Sequence, residues 1–65
     1  MFVVWRKCKI SNQKRSMFRG TQEECQQFKL DILNGILVET LNVHPEADED
    51  TILLVEDGYF QIVEE

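Results

Sequence analysis

Residues 21–42, Thr-Gln-Glu-Glu-Cys-Gln-Gln-Phe-Lys-Leu-Asp-Ile-Leu-Asn-Gly-Ile-Leu-Val-Glu-Thr-Leu-Asn, decide the fold. Thr21 stands three residues before Glu24, the spacing of a capping box: the hydroxyl accepts from a first-turn amide while the carboxylate reaches back to the Thr21 amide. Glu23 and Glu24 also sit where a helix dipole favours negative charge. At the far end Asn42 suits a left-handed terminal position, Val43 the apolar position beyond it, and Pro45 blocks continuation. One helix over 21–42 is the preferred reading. Its weak point is Asn34-Gly35, because an interior Gly costs about 1 kcal/mol relative to Ala and Asn-Gly is a stop signal. The rival reading ends the helix near Leu33 and makes Ile36–Val43 a strand.

Wound at ~100° per residue, Cys25, Phe28, Leu30, Ile32, Leu33, Ile36, Leu37 and Leu41 sweep an apolar arc of about 200°. A helix lying on one sheet needs roughly 100° or somewhat more. The surplus calls for additional cover, either from this chain or from a second one.

On the N-terminal side, Met1–Ile10 reads as a strand rich in aromatic and β-branched residues, Ser11-Asn12-Gln13 as a polar turn, and Lys14–Arg19 as the returning strand. On the C-terminal side, 43–50 is a polar acidic loop. Ile52-Leu53-Leu54-Val55 gives Thr51–Glu56 the composition of a strand, Asp57-Gly58 is a type I′ hairpin signal, and Tyr59–Val63 returns. The expected fold class is α+β: a single β-β-α-β-β domain over 1–65, with a basic hairpin (1–20), a helix (21–42), an acidic loop (43–50) and a C-terminal hairpin (51–65). Its four strands would form one antiparallel sheet with the long helix on one face. Apolar residues fall on both faces of these strands, with Val3 and Trp5 opposed to Phe2 and Val4, which again leaves apolar surface for a partner.

With 65 residues the chain is near the lower limit for a domain that folds alone, so homodimerisation is expected. A hydrophobic content of 43% excludes a disordered chain. Two cysteines and no 18-residue apolar run point to a reduced, soluble, cytoplasmic protein without a membrane segment. Cys8 and Cys25 read as small buried hydrophobes. The net charge of −5 hides a segregation: six of the seven basic residues lie in 1–20, which has no acid, whereas 21–65 holds all twelve acids and only Lys29. Such asymmetry marks an interaction surface, or two segments that neutralise one another across a sheet.

No constellation for catalysis emerges. His44 is the single histidine and precedes Pro45, with neither Ser11 nor Ser16 placed to pair with it. Neither a metal nor a cofactor is expected: Glu46, Asp48, Glu49 and Asp50 lack the glycine and alternate spacing of a calcium loop, and the cysteines make no zinc pattern. The favoured reading is a non-enzymatic protein-interaction or regulatory module. It would dock on a partner protein through Glu46, Asp48, Glu49 and Asp50 together with leftover apolar surface at Leu37 and Val55. The alternative is nucleic-acid binding by the basic hairpin, with Arg6, Lys7, Lys9, Lys14, Arg15 and Arg19 on phosphates and Trp5 stacking on a base.

Overall fold

A computed structural model describes residues 1–65. The chain order is β1 (Phe2–Lys7), β2 (Lys14–Gly20), α1 (Gln22–Val43), α2 (Glu49–Asp57) and β3 (Phe60–Glu64). The sheet has three strands in the order β2-β1-β3, and both pairings are antiparallel. This keeps the α+β class and corrects the four-stranded β-β-α-β-β expectation. The segment expected as a third strand is a second helix, and 51–65 is not a hairpin.

Helix α1 forms as its ends dictate. The Glu24 amide donates to Thr21 Oγ1 at 3.1 Å and the Thr21 amide donates to Glu24 Oε1 at 2.9 Å, completing the capping box. The helix runs through Asn34-Gly35 without a break and stops at His44, whose amide donates to the Thr40 carbonyl at 2.8 Å. Asn42 remains helical, so the stop comes from Pro45 rather than from a left-handed cap. Its wide apolar arc is covered from two directions, by the sheet and by α2. Part of the surplus assigned to a partner is therefore satisfied within the chain, although Leu30, Val38 and Val43 stay exposed.

Helix α2 won over a strand because its start is capped. Asp48 accepts from the Thr51 amide at 3.1 Å and from the Thr51 hydroxyl at 2.7 Å, and Glu49 and Asp50 occupy the positive end of the helix dipole. The four-residue apolar run has no period of its own, so caps and packing decide its state. Gly58 ends the helix at φ −63 and ψ −16, which rules out the positive φ that a type I′ turn needs.

The core lies between the sheet and the helices. Val4 of β1, Phe60 of β3, and Cys25 and Leu33 of α1 form a buried cluster, extended by Phe2, Phe18, Phe28, Ile32, Ile36, Leu53 and Ile62. The Phe18 and Phe28 rings stack at 4.7 Å, fastening α1 to β2. Even-numbered residues of β1 thus face the helices, and by strand alternation Val3, Trp5 and Lys7 face away. Extents of 39 × 27 × 14 Å leave room for two layers only, so no helix covers that second face, although Val3 is itself buried there at 1% exposed. Beside β3, the Lys7 amide donates to the Tyr59 carbonyl and the Glu65 amide to the Met1 carbonyl, each at 2.8 Å, so residues 1 and 65 lie side by side. No helix is long and apolar enough to cross a membrane.

Candidate functional site

The basic hairpin builds the most distinctive surface. The Cys8 amide donates to the Gln13 carbonyl at 2.7 Å and closes a loop in which Asn12 takes φ 59, a left-handed position that Asn tolerates. Register then places Arg6 opposite Arg15 and Lys7 opposite Lys14. Like charges directly opposed destabilise a ladder, so four cations crowded at one strand end is a costly arrangement for a purely structural hairpin. Met17 is the extra residue of a β-bulge between the Val4–Phe18 and Trp5–Ser16 pairs, which re-aims the hairpin end relative to the rest of the sheet.

Two hollows result. One, of about 410 Å³, gathers the side chains of Arg6, Lys7, Lys9, Lys14 and Arg15 around Cys8 and Ser11. The other, of about 280 Å³, is lined by Trp5, Lys7, Lys14, Tyr59 and Gln61. Lys7 and Lys14 line both, so the hollows share a wall. The half-buried Trp5 lies beside them, between Ser16 and Gln61 on the face that no helix covers.

The cations divide by partner. Lys9 binds Glu56 at 2.7 Å and lies 5.0 Å from the Tyr59 ring centre. It holds one oxygen of a carboxylate that is 13% exposed and whose second oxygen, Oε2, is buried without a hydrogen bond. Arg19 pairs with Glu65 at 3.0 Å, at the strand end away from the hollows, so the structure separates it from the other basic residues. Arg6, whose guanidinium carbon is 5.3 Å from the Phe60 ring centre, has no carboxylate partner, and neither do Lys7, Lys14 and Arg15. Asp57, the other acid at the end of α2, is held by Lys29 at 2.7 Å.

Sequence reasoning missed Cys8, which is exposed rather than buried. The Ser11 side chain, then the backbone groups of Ser11 and Ile10, hydrogen-bond the sulfur and bring its pKa from the ordinary 9.0 down to about 7, with the Arg15 charge adding to the effect. Only Cys25 matches the buried reading. The signal that could have separated the two is position, since Cys8 borders the polar turn.

The acidic set is less concentrated. Asp48 serves α2 as its N-cap, Glu49 and Asp50 form its first turn, and Glu46 lies in the preceding turn. No three His, Cys, Asp or Glu side chains converge as metal ligands. Leu37 is half-buried on α1. Val55 is 53% exposed beside Leu54 at 77%, both on α2. The chain matches no protein-family model, no curated protein and no solved structure.

Proposed function

We propose that the chain is a non-enzymatic binding module whose ligand is a single-stranded nucleic acid, held at the basic end of the sheet. The observation that carries this reading is the strand end where Arg6, Lys7, Lys14 and Arg15 meet without acidic partners, with Lys7 and Lys14 on the same sheet face as the half-buried indole of Trp5. Flexible single strands can lay phosphates on the cations and a base on Trp5, a combination that a stacked duplex denies. The overall net charge of −5 opposes approach, but the neighbouring acids Glu56 and Asp57 are already neutralised by Lys9 and Lys29. More distant acids are screened beyond about 8 Å at physiological salt.

The chain has a single tryptophan, so its fluorescence reports the site directly. Titration with a short oligothymidine at low salt should quench Trp5. Four phosphate contacts predict that log K falls against log salt with a slope of about −3. Lys7→Glu combined with Arg15→Glu should abolish the quench while the circular dichroism is retained. Absence of any quench at low salt would remove the proposal.

A second reading is favoured by α2, a short helix with adjacent Leu54 and Val55 largely in solvent and acids in its first turn. It supports docking on a partner protein that offers an apolar cleft rimmed by basic residues. In that case Val55→Glu or Leu54→Glu removes the partner and leaves oligonucleotide binding intact. Loss of partner binding in the hairpin double variant alone would count against this reading.

A further inference from the structure

We propose that the outer edge of β3 is a self-pairing surface: two copies join β3 to β3 antiparallel about a two-fold axis at Ile62, making one continuous sheet of both chains. The free backbone groups of β3 follow from its ladder with β1. Hydrogen-bonded and non-bonded pairs alternate along an antiparallel ladder. The bonds Lys7 N–H to Tyr59 and Glu65 N–H to Met1 fix that phase, so Gln61 and Val63 face β1 while Phe60, Ile62 and Glu64 direct their N–H and C=O groups outward. Nothing else in the chain pairs with that edge.

The two edges of the sheet are guarded unequally. β2 carries Lys14, Arg15 and Arg19 and the Met17 bulge, the devices that discourage edge-to-edge association. Phe60-Gln61-Ile62-Val63 has no charge, proline or bulge. A β2–β2 dimer would also face like charges against each other, which β3–β3 pairing avoids.

Register and charge select a second copy as the occupant. With Ile62 opposite its own image, Phe60 of each chain lies opposite Glu64 of the other, and Gln61 opposite Val63. All the outward backbone groups of β3 are then used, in the phase the ladder requires. A register shifted to centre on Gln61 would set Glu64 against Gly58, which lies outside the strand. Directly opposed residues share a face, so each Glu64 comes beside the other chain's Phe60, whose ring already carries the Arg6 guanidinium. Neither Glu64 nor Arg6 has an oppositely charged partner within the chain. Pairing therefore brings together two unmatched charges on each side of the axis; it engages Arg6 of the first hollow and leaves Lys7, Lys14 and Arg15 without acidic partners.

The test is absolute mass by light scattering, on the unmodified chain and on Glu64→Pro and Glu64→Lys. Glu64 is exposed and its N–H points outward, so proline removes an edge donor without taking a bond from β1. The unmodified chain should go from 7.7 kDa when dilute (about 10 µM) toward a twofold mass near 1 mM, the range expected for a small interface. Both variants should stay at the monomer mass. Amide exchange on the unmodified chain gives a second readout that needs no variant. Phe60, Ile62 and Glu64 should be slowed only when concentrated, while Gln61 and Val63 are protected at both concentrations. A chain that stays monomeric near 1 mM overturns the inference, as does a dimer that survives in both folded variants, or exchange at those three amides that ignores concentration.

Discussion

Replacing Gly35 by Ala tests the continuity of α1, on which the placement of α2 and the core depends. Gly35 is exposed in the helix interior, and a Cβ built there meets nothing within 4 Å. The backbone takes no positive φ at this residue, so alanine adds no strain. What remains is the helix-propensity difference and the smaller entropy of the unfolded chain, together about 0.8–1 kcal/mol in favour of Ala. For a domain of this size that is a rise in Tm of roughly 4–8 °C. Thermal melting followed at 222 nm, with urea unfolding to check that the m-value is unchanged, reads the effect. Gly20→Ala is the matched contrast. There a Cβ would stand 2.9 Å from Glu24 Oε1 and 3.1 Å from Phe18 Cε1, displacing a carboxylate that completes the capping box, so Tm should fall. An unchanged or lowered Tm for Gly35→Ala would refute a helix that runs straight through Asn34-Gly35.

Two further outcomes follow from the caps and from the exposed thiol. Asp48→Ala removes the acceptor for both the amide and the hydroxyl of Thr51, and should cost about 1 kcal/mol, with Asp48→Asn retaining most of the stability. Equal stability of Asp48→Ala and the unmodified chain in urea would show that α2 is not held by this cap. Alkylation of Cys8 should follow its thiolate: because hydrogen bonds lower the pKa to about 7, the neutral thiol dominates below that pH and the rate climbs through it to a plateau. Ser11→Ala removes the largest of those interactions and should move the midpoint up toward 9.0, while buried Cys25 stays unmodified in the folded chain. A midpoint near 9.0 without any substitution would contradict the loop geometry.

Local signals were legible wherever the physics is local. Thr21 and Glu24 meet within one turn, so their spacing alone announces the start of α1. The N-terminal hairpin could be read from alternation and a polar turn. The C-terminal third could not, because Ile52-Leu53-Leu54-Val55 suits a buried strand and one flank of a helix equally, and β-branching tilted the choice the wrong way. Asp48 with Thr51 three residues on, followed by two acids, was the available helix signal. Asp57-Gly58 carried a turn meaning that the helix end absorbed. The basic residues were visible as composition, but not as a place. Only register sets Arg6 against Arg15 and Lys7 against Lys14, carries Arg19 to the opposite end of the sheet, and brings Trp5 beside Lys14. The acids, read as a docking cluster, are placed by the structure in part at the start of a helix.

The hydrogen bond from Glu65 to Met1 makes this chain nearly a ring. In the linear order β1 and β2 are neighbours, whereas β1 and β3 are joined across almost the whole sequence, so the sheet is completed by its most distant pair. A circular permutant with residues 65 and 1 linked by a few glycines, and opened in the exposed loop at Asn12, reverses that order. β3 and β1 become the hairpin, and β2 becomes the strand that must return from afar. Loop-closure entropy then shifts from one side of the sheet to the other, while the contacts in the finished fold stay the same. The two versions would reach one structure by assembling it from opposite edges.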